Sequence, residues 1–222
     1  AHAPAAYRGK PRGTVVLLHG WMMDGGSLLP WSLQLAQAGY RTITLDLRNH
    51  GRSGAAPSGY GQREARDVAD AIAALRARGE VVGPLHLMGV SYGAATAIFS
   101  ARELGLQVDN VIAIESFDNA GGAIRDMVPH MLSKPPESVS QRISHRLLRM
   151  QMDDGALERA ITSASDTLQL RLDRVDVGAA LAQVPSCVLL LHGREDQHVP
   201  VAHGRALAAA APKANAAAAS CP

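Results

Sequence analysis

Leu85-His86-Leu87-Met88-Gly89-Val90-Ser91-Tyr92-Gly93, followed by Ala94 to Glu103, decides how the rest of the chain is read. An apolar run of strand length breaks at Gly89-x-Ser91-x-Gly93 and resumes as a small-residue stretch of helix-forming composition. A turn that passes sharply from strand to helix admits little side chain on either side of its centre, so glycines flank the serine and its hydroxyl is left at the carboxyl end of the strand. A serine hydroxyl is a poor nucleophile until a neighbouring base takes its proton, and the oxyanion that develops needs preorganised donors. Ser91 is therefore the candidate nucleophile, and the backbone N–H of Tyr92 a candidate oxyanion donor.

Working outward, short apolar runs alternate with helical patterns, the signature of strand-helix-strand units around a mostly parallel sheet. Thr14 to Leu18 is a continuous, β-branched run stopped by His19-Gly20, as in a buried central strand. A helix is predicted around Ser27 to Ala38, a strand over Arg41 to Leu47, and a one-faced helix over Glu64 to Arg78 with Val68, Ile72 and Leu75 on its apolar side. Val108 to Glu115 and Val188 to Leu191 read as further strands, and Val199 to Ala211 as a final helix. From about Ser116 to Gln183 the chain is too long for an ordinary connection and helical in pattern, with breaks at Pro135-Pro136 and Gly155. The organisation expected is a discontinuous core, residues 1–116 and 184–222, carrying a helical cap over residues 117–183. Met127, Met131, Met150 and Met152 of that insert are read first as helix packing and second as the lining of an acyl pocket.

Two further stretches bear on the chemistry. The loop after the first strand, His19-Gly20-Trp21-Met22, is placed to offer a second oxyanion donor from the backbone N–H of Trp21, while His19 reads as a structural hydrogen-bonding residue. The last strand runs into Leu191-His192-Gly193-Arg194-Glu195-Asp196-Gln197-His198-Val199-Pro200. There Asp196 follows a strand end, where a carboxylate would orient a histidine, and Glu115 and Asp118 after the preceding strand are the alternatives.

Composition narrows the classes. The 222 residues are 47% hydrophobic with 22 basic against 20 acidic side chains, a net charge of +2, and the basic residues are scattered. That balance argues against a nucleic-acid binder. No stretch approaches the roughly 20 apolar residues of a membrane span. Cys187 and Cys221 make neither a disulfide framework nor zinc spacing, so no metal is expected and a reducing, cytoplasmic setting is the plain expectation.

These motifs together resemble the α/β-hydrolase superfamily over nearly the whole chain. Leu17-Leu18-His19-Gly20-Trp21 is similar to the family's oxyanion loop, Asp46-Leu47-Arg48-Asn49-His50-Gly51-Arg52-Ser53 to its post-strand signature, Gly89 to Gly93 to its elbow and Leu191 to Pro200 to its acid loop, in the family's order. Tyr60-Gly61 with Glu64 and Asp67, and the strand end Glu115-Ser116-Phe117, look most like the esterase and serine-aminopeptidase-like branch. Serine at the elbow separates the chain from branches that resemblance says use aspartate there. The resemblance implies an α/β-hydrolase fold with the cap inserted after the family's sixth strand, no cofactor, and a small-molecule acyl ester as partner.

The chain departs from the family pattern toward both ends. The order is serine, acid, histidine, with the histidine beyond one more strand, and after Pro200 only His203 is a histidine. The catalytic histidine is thus expected beyond Pro222, with His203, at the start of the last helix, only as a weak fallback and His198 no better placed. Lys213 to Ala216 stands where that last strand should begin, and Ala6 to Gly9 is a possible remnant of strands before the first. The expected activity is hydrolysis of carboxylic esters with short or medium acyl chains through an acyl-enzyme. The alternatives are a noncatalytic hydrolase-like binding protein or inactive relative, and an acyltransferase or carbon–carbon hydrolase on the same fold.

Overall fold

The computed structural model describes residues 9–134 and 138–211. Strands β1 (Thr14–Leu18), β2 (Arg41–Leu45), β3 (Leu85–Val90), β4 (Asn110–Ile114) and β5 (Cys187–Leu191) form one parallel sheet in the order β2-β1-β3-β4-β5. Helices α1 (Leu29–Gln37), α2 (Gln62–Ala77), α3 (Tyr92–Leu104), α4 (Ala120–Ser133), α5 (Val139–Gln151), α6 (Asp154–Leu168), α7 (Val177–Leu181) and α8 (Val201–Ala210) complete the order of main elements. The expected class, a parallel sheet flanked by helices, is what forms. The expected strand remnant at Ala6 to Gly9, but for Gly9 itself, and the strand start at Lys213 to Ala216 lie outside the described residues.

β1 shows why a continuous apolar run was required. All five of its residues are buried, Val15 and Leu17 beneath α1 with Leu28 and Met88, and Val16 and Leu18 in the larger cluster that holds α2 and α3. Alternation along a strand sends successive side chains to opposite faces, so only a strand covered on both sides buries every residue. The α3 face is the thicker: α3 packs on β3, β4, α2 and α7, and α7 in turn on α8.

Chain direction then fixes where a site can form. From β1 the chain moves outward to β2, then returns past β1 to β3 and continues to β4 and β5. The loops after β1 and β3 therefore diverge to opposite faces, and this reversal point, at the carboxyl ends of the strands, is where open α/β sheets hold their ligands. Trp21 follows β1 and Ser91 follows β3.

Between β4 and β5 stand α4 to α7. Arg125 on α4 grips Glu158 on α6 (Nε to Oε1, 2.6 Å) and Asp173 (Nη1 to Oδ1, 2.6 Å), and these contacts hold the guanidinium firmly protonated. Arg63 on α2 donates to the Leu168 carbonyl at the end of α6 (2.8 Å), tying the insert to the core. Met152 packs against the main core, whereas Met131 and Met150 are largely exposed, so plain packing does not account for all four methionines.

Candidate active site

Ser91 sits between β3 and α3 with φ 53° and ψ −113°, a conformation that non-glycine residues avoid. Such strain persists only where the surroundings over-determine it. The Ser91 N–H donates to the Ile114 carbonyl at the end of β4 (2.8 Å), and its own carbonyl accepts from Ala94 (2.9 Å) and Ala95 (3.1 Å). The flanking glycines are a steric necessity. A Cβ on Gly93 would lie 2.1 Å from the Leu18 carbonyl oxygen, and one on Gly89 would lie 2.1 Å from the Gly93 carbonyl oxygen. The first ten residues of α3, Tyr92 to Ala101, are all buried, so the helix cannot pivot away and its positive N-terminal end stays at the serine.

The loop after β1 lies beside it. A Cβ on Gly20 would be 3.9 Å from the Ser91 Cβ, so the backbone at Gly20 borders the serine. Both ring nitrogens of His19 are committed: Nδ1 donates to the Gly20 carbonyl (2.8 Å) and Nε2 accepts from the Leu47 N–H (3.0 Å). Burial lowers its pKa, which keeps it the neutral tautomer this bridge needs. The Trp21 ring stacks on Tyr60 (5.6 Å, 17°) and meets the edges of His50 (5.3 Å) and Tyr92 (5.1 Å). Tyr92 is only 2% exposed, and burial, then the nearby Glu64 carboxylate, push its phenol pKa up, so the ring is a wall support and its hydroxyl stays neutral.

The loop resembling the post-strand signature is built around one carboxylate. Asp46 accepts from the N–H of Gly25 (2.7 Å) through Oδ1 and of Arg52 (2.9 Å) through Oδ2, which depress its pKa, and a Cβ on Gly51 would collide with it at 2.5 Å. Arg48 turns back onto Asp67 of α2 in a bidentate pair (2.6 and 2.7 Å). His50 is thereby brought against His19 and Trp21.

Two strands away, Asp196 Oδ1 accepts from the N–H of His198 (2.8 Å) and Val199 (3.0 Å). It closes a turn within the loop and does not cap α8, whose N-terminal flank is Pro200. Among the described residues its Oδ2 takes no hydrogen bond and has the His192 ring at 3.9 Å, whose Nε2 donates instead to the Val199 carbonyl (2.7 Å). One carboxylate oxygen is therefore left to take a further donor. Ser91 follows β3 and Asp196 follows β5, with β4 between those two strands. Glu115, at φ 54°, stands between them and approaches Gly193. A cleft of ≈ 670 Å³ opens beside the acid loop, lined among others by Glu115, Asp196, His198 and Lys134 of the α4 end but not by Ser91, and the His130 ring of α4 meets that of His198 at 4.9 Å. The larger cleft, ≈ 1060 Å³, runs along the β2 edge around Asp46 and Arg52, away from the serine.

His203 is held between two carboxylates. Its Nδ1 is hydrogen-bonded to Asp118 and its Nε2 to Asp126 of α4 (3.0 Å), so both nitrogens of the fallback base are occupied, and with it Asp118, one of the alternative acids. His198 is held over the acid loop beside His130. These contacts join residues 77 and 85 positions apart in sequence, and no local pattern announces them. Glu64 was named with Tyr60-Gly61 and Asp67, but its contacts were not foreseen. It is fully buried and accepts from two backbone N–H groups, and its place in the first turn of α2, three residues after Gly61, was the available signal. No group of three or more ligating side chains suited to a metal occurs among the described residues, and no helix among them is long and apolar enough to cross a membrane.

Comparison with known proteins places this geometry. A family model described as the alpha/beta hydrolase family matches residues 15–219. Among curated proteins, the AB hydrolase superfamily protein YisY of Bacillus subtilis (strain 168) is 26% identical over 206 residues, covering 84% of this chain and 75% of that one. Among solved structures, the Pyrococcus furiosus esterase Pf2001 superposes with a TM-score of 0.65 at 18% identity, over 90% of this chain and 68% of its own. The esterase EaEST from Exiguobacterium antarcticum does so with 0.61 at 21% identity, over 91% and 81%. The structural likenesses speak to the fold, and the match across most of the sequence settles the family: this chain belongs to the alpha/beta hydrolase family.

Proposed function

We propose that the chain is a serine hydrolase of carboxylic esters with short or medium acyl chains. The observation that carries this reading is the backbone of Ser91, held at φ 53° by two glycines that can be nothing else, at the head of a buried helix. In this reading the Ser91 Oγ attacks the ester carbonyl carbon as its proton passes to an imidazole. The oxyanion is met by the N–H groups of Trp21 and Tyr92, the carbonyl–alkoxy bond breaks, and the alcohol leaves with the proton. Water then attacks the acyl-enzyme by the same route in reverse, releasing the acid and restoring the serine. Asp196 orients the imidazole through its open Oδ2, and the histidine is the one that the family pattern puts after the acid in chain order. The ester-cleaving relatives of the same fold support the substrate class. The insert between β4 and β5 is proposed as the cap, with the α4 end and its His130 over the acid loop.

The test is hydrolysis of a short-chain p-nitrophenyl ester by the protein and by Ser91→Ala. Turnover is expected to fall by at least about a thousandfold with melting temperature unchanged. Equal rates in the two proteins would refute the reading.

A further inference from the structure

We propose that Glu64 is a positioning residue for the oxyanion-binding side of the site, acting through Tyr60 on Trp21; the role rests on the hydrolase reading above. Glu64 is 0% exposed in the first turn of α2. Its Oε1 accepts from the Gly59 N–H (2.8 Å) and its Oε2 from the Gly61 N–H (2.8 Å), so one carboxylate grips both sides of Tyr60. A helix cap needs only the second of these bonds. The first fixes the residue before Tyr60, and Tyr60 itself is held at φ 49°.

The turn is also seated on the helix that carries the serine. A Cβ on Gly61 would lie 2.7 Å from the Phe99 ring and 3.1 Å from the backbone of Ala95 and Thr96, all on α3, and one on Gly59 would meet Arg63 at 2.5 Å. Tyr60 thus has a fixed place relative to Ser91, and its ring lies nearly parallel to that of Trp21. Trp21 needs such a support. It is 39% exposed, and its neighbour Met22 is 81% exposed at φ 59°, so the loop on that side has little burial of its own. The path runs from a buried carboxylate through a pinned turn and a stacked ring to the residue whose N–H faces the oxyanion.

The buried charge is matched for this task. Arg48 Nε lies 3.9 Å from Glu64 Oε1 while its main partner is Asp67, so the guanidinium offsets the carboxylate without competing for its two N–H donors. A glutamine at this place presents one acceptor oxygen and one NH₂ to two N–H groups. One of them is left facing a donor, and the turn must shift.

The test uses the protein in a Trp31→Phe background, which leaves Trp21 as the only tryptophan, since the chain has two. Glu64→Gln and Tyr60→Ala are each expected to lower kcat for a p-nitrophenyl ester by about tenfold with KM within about twofold, a partial loss of an oxyanion donor. The double variant should fall no further, because both act through one contact. Trp21 emission should become more accessible to acrylamide in Glu64→Gln. A lowered melting temperature with unchanged kcat and unchanged Trp21 quenching would overturn the inference and leave Glu64 a helix cap. Losses that multiply in the double variant would overturn it too. Absence of Ser91-dependent turnover in the parent protein would sink the hydrolase reading and this catalytic role together, whereas normal turnover with an unmoved Trp21 would sink this role alone.

Discussion

The elbow at the end of β3 and the loop after β5, which the proposed mechanism joins in one site, are built on opposite principles. The elbow is fixed by excluded volume: two glycines whose Cβ positions are already filled by backbone, a strained serine, and a helix buried along its first ten residues. The acid loop leaves β5, the last strand of the described sheet, whose Leu189 and Leu191 are about half exposed, and is shaped by polar contacts among Asp196, His192 and the 198–199 backbone. Packing makes the first intolerant of a single added carbon. Hydrogen bonding lets the second accept a replacement that keeps the pattern of acceptors.

The sharpest way to break this contrast is at Gly93. Gly93→Ala puts a Cβ against the Leu18 carbonyl, where neither backbone can give, and should cost more than about 4 kcal/mol, seen as loss of soluble protein or of a cooperative melt. A well-folded Gly93→Ala protein would show that the elbow is looser than its geometry. Asp196→Asn makes the opposite demand on the acid loop. Its amide oxygen still accepts the N–H groups of His198 and Val199, so the fold should survive, while ester turnover drops by about 10² to 10⁴-fold as the base loses its orientation. Turnover at the parent rate would move the acid to Glu115, which stands between the two regions.

At Tyr92 the comparison is sharpened inside one residue. Its backbone donor survives any substitution, so the sequence alone suggests a modest effect for Tyr92→Ala. The ring is 2% exposed, however, and truncation should cost about 3 kcal/mol or more of stability by chemical denaturation, whereas Tyr92→Phe should stay within about 1 kcal/mol. Loss of turnover in a stable Tyr92→Phe protein would give the phenol a chemical role. The smallest effect is expected at Asp46, whose pKa is depressed by the N–H groups of Arg52 and Gly25. A carboxylate lowered on folding stabilises above its ordinary value of 3.8 and ceases to do so as pH falls through the still lower folded value. Asp46→Asn should therefore melt a few degrees below the parent protein at neutral pH, with the gap closing below about pH 4. A gap independent of pH would mean that the charge is irrelevant to the loop.

The same contrast explains what could be read in advance. β1, β3 and the elbow were legible because local sequence dictates them: a continuous apolar run means burial on both faces, and glycines two residues to either side of a serine mean a turn without room. Asp196 was legible as an acid at a strand end, and its turn-forming contacts lie within three residues. The clasp of His203 with Asp118 and Asp126, the grip of Glu64 on the Tyr60 turn, and the stack on Trp21 were not. They join residues from separate elements whose approach is set by the sheet order, which alternation of apolar residues does not encode. The exposed Met131 and Met150 teach the same lesson, since helical spacing marks a face and not what covers it.

The most direct measurement of the central claim is mass spectrometry of the protein quenched during reaction with p-nitrophenyl acetate. The account predicts an acetyl group on the peptide carrying Ser91, formed with a burst of p-nitrophenol and absent from Ser91→Ala. Release of p-nitrophenol with no acylation of Ser91, or at the same rate in Ser91→Ala, would contradict it.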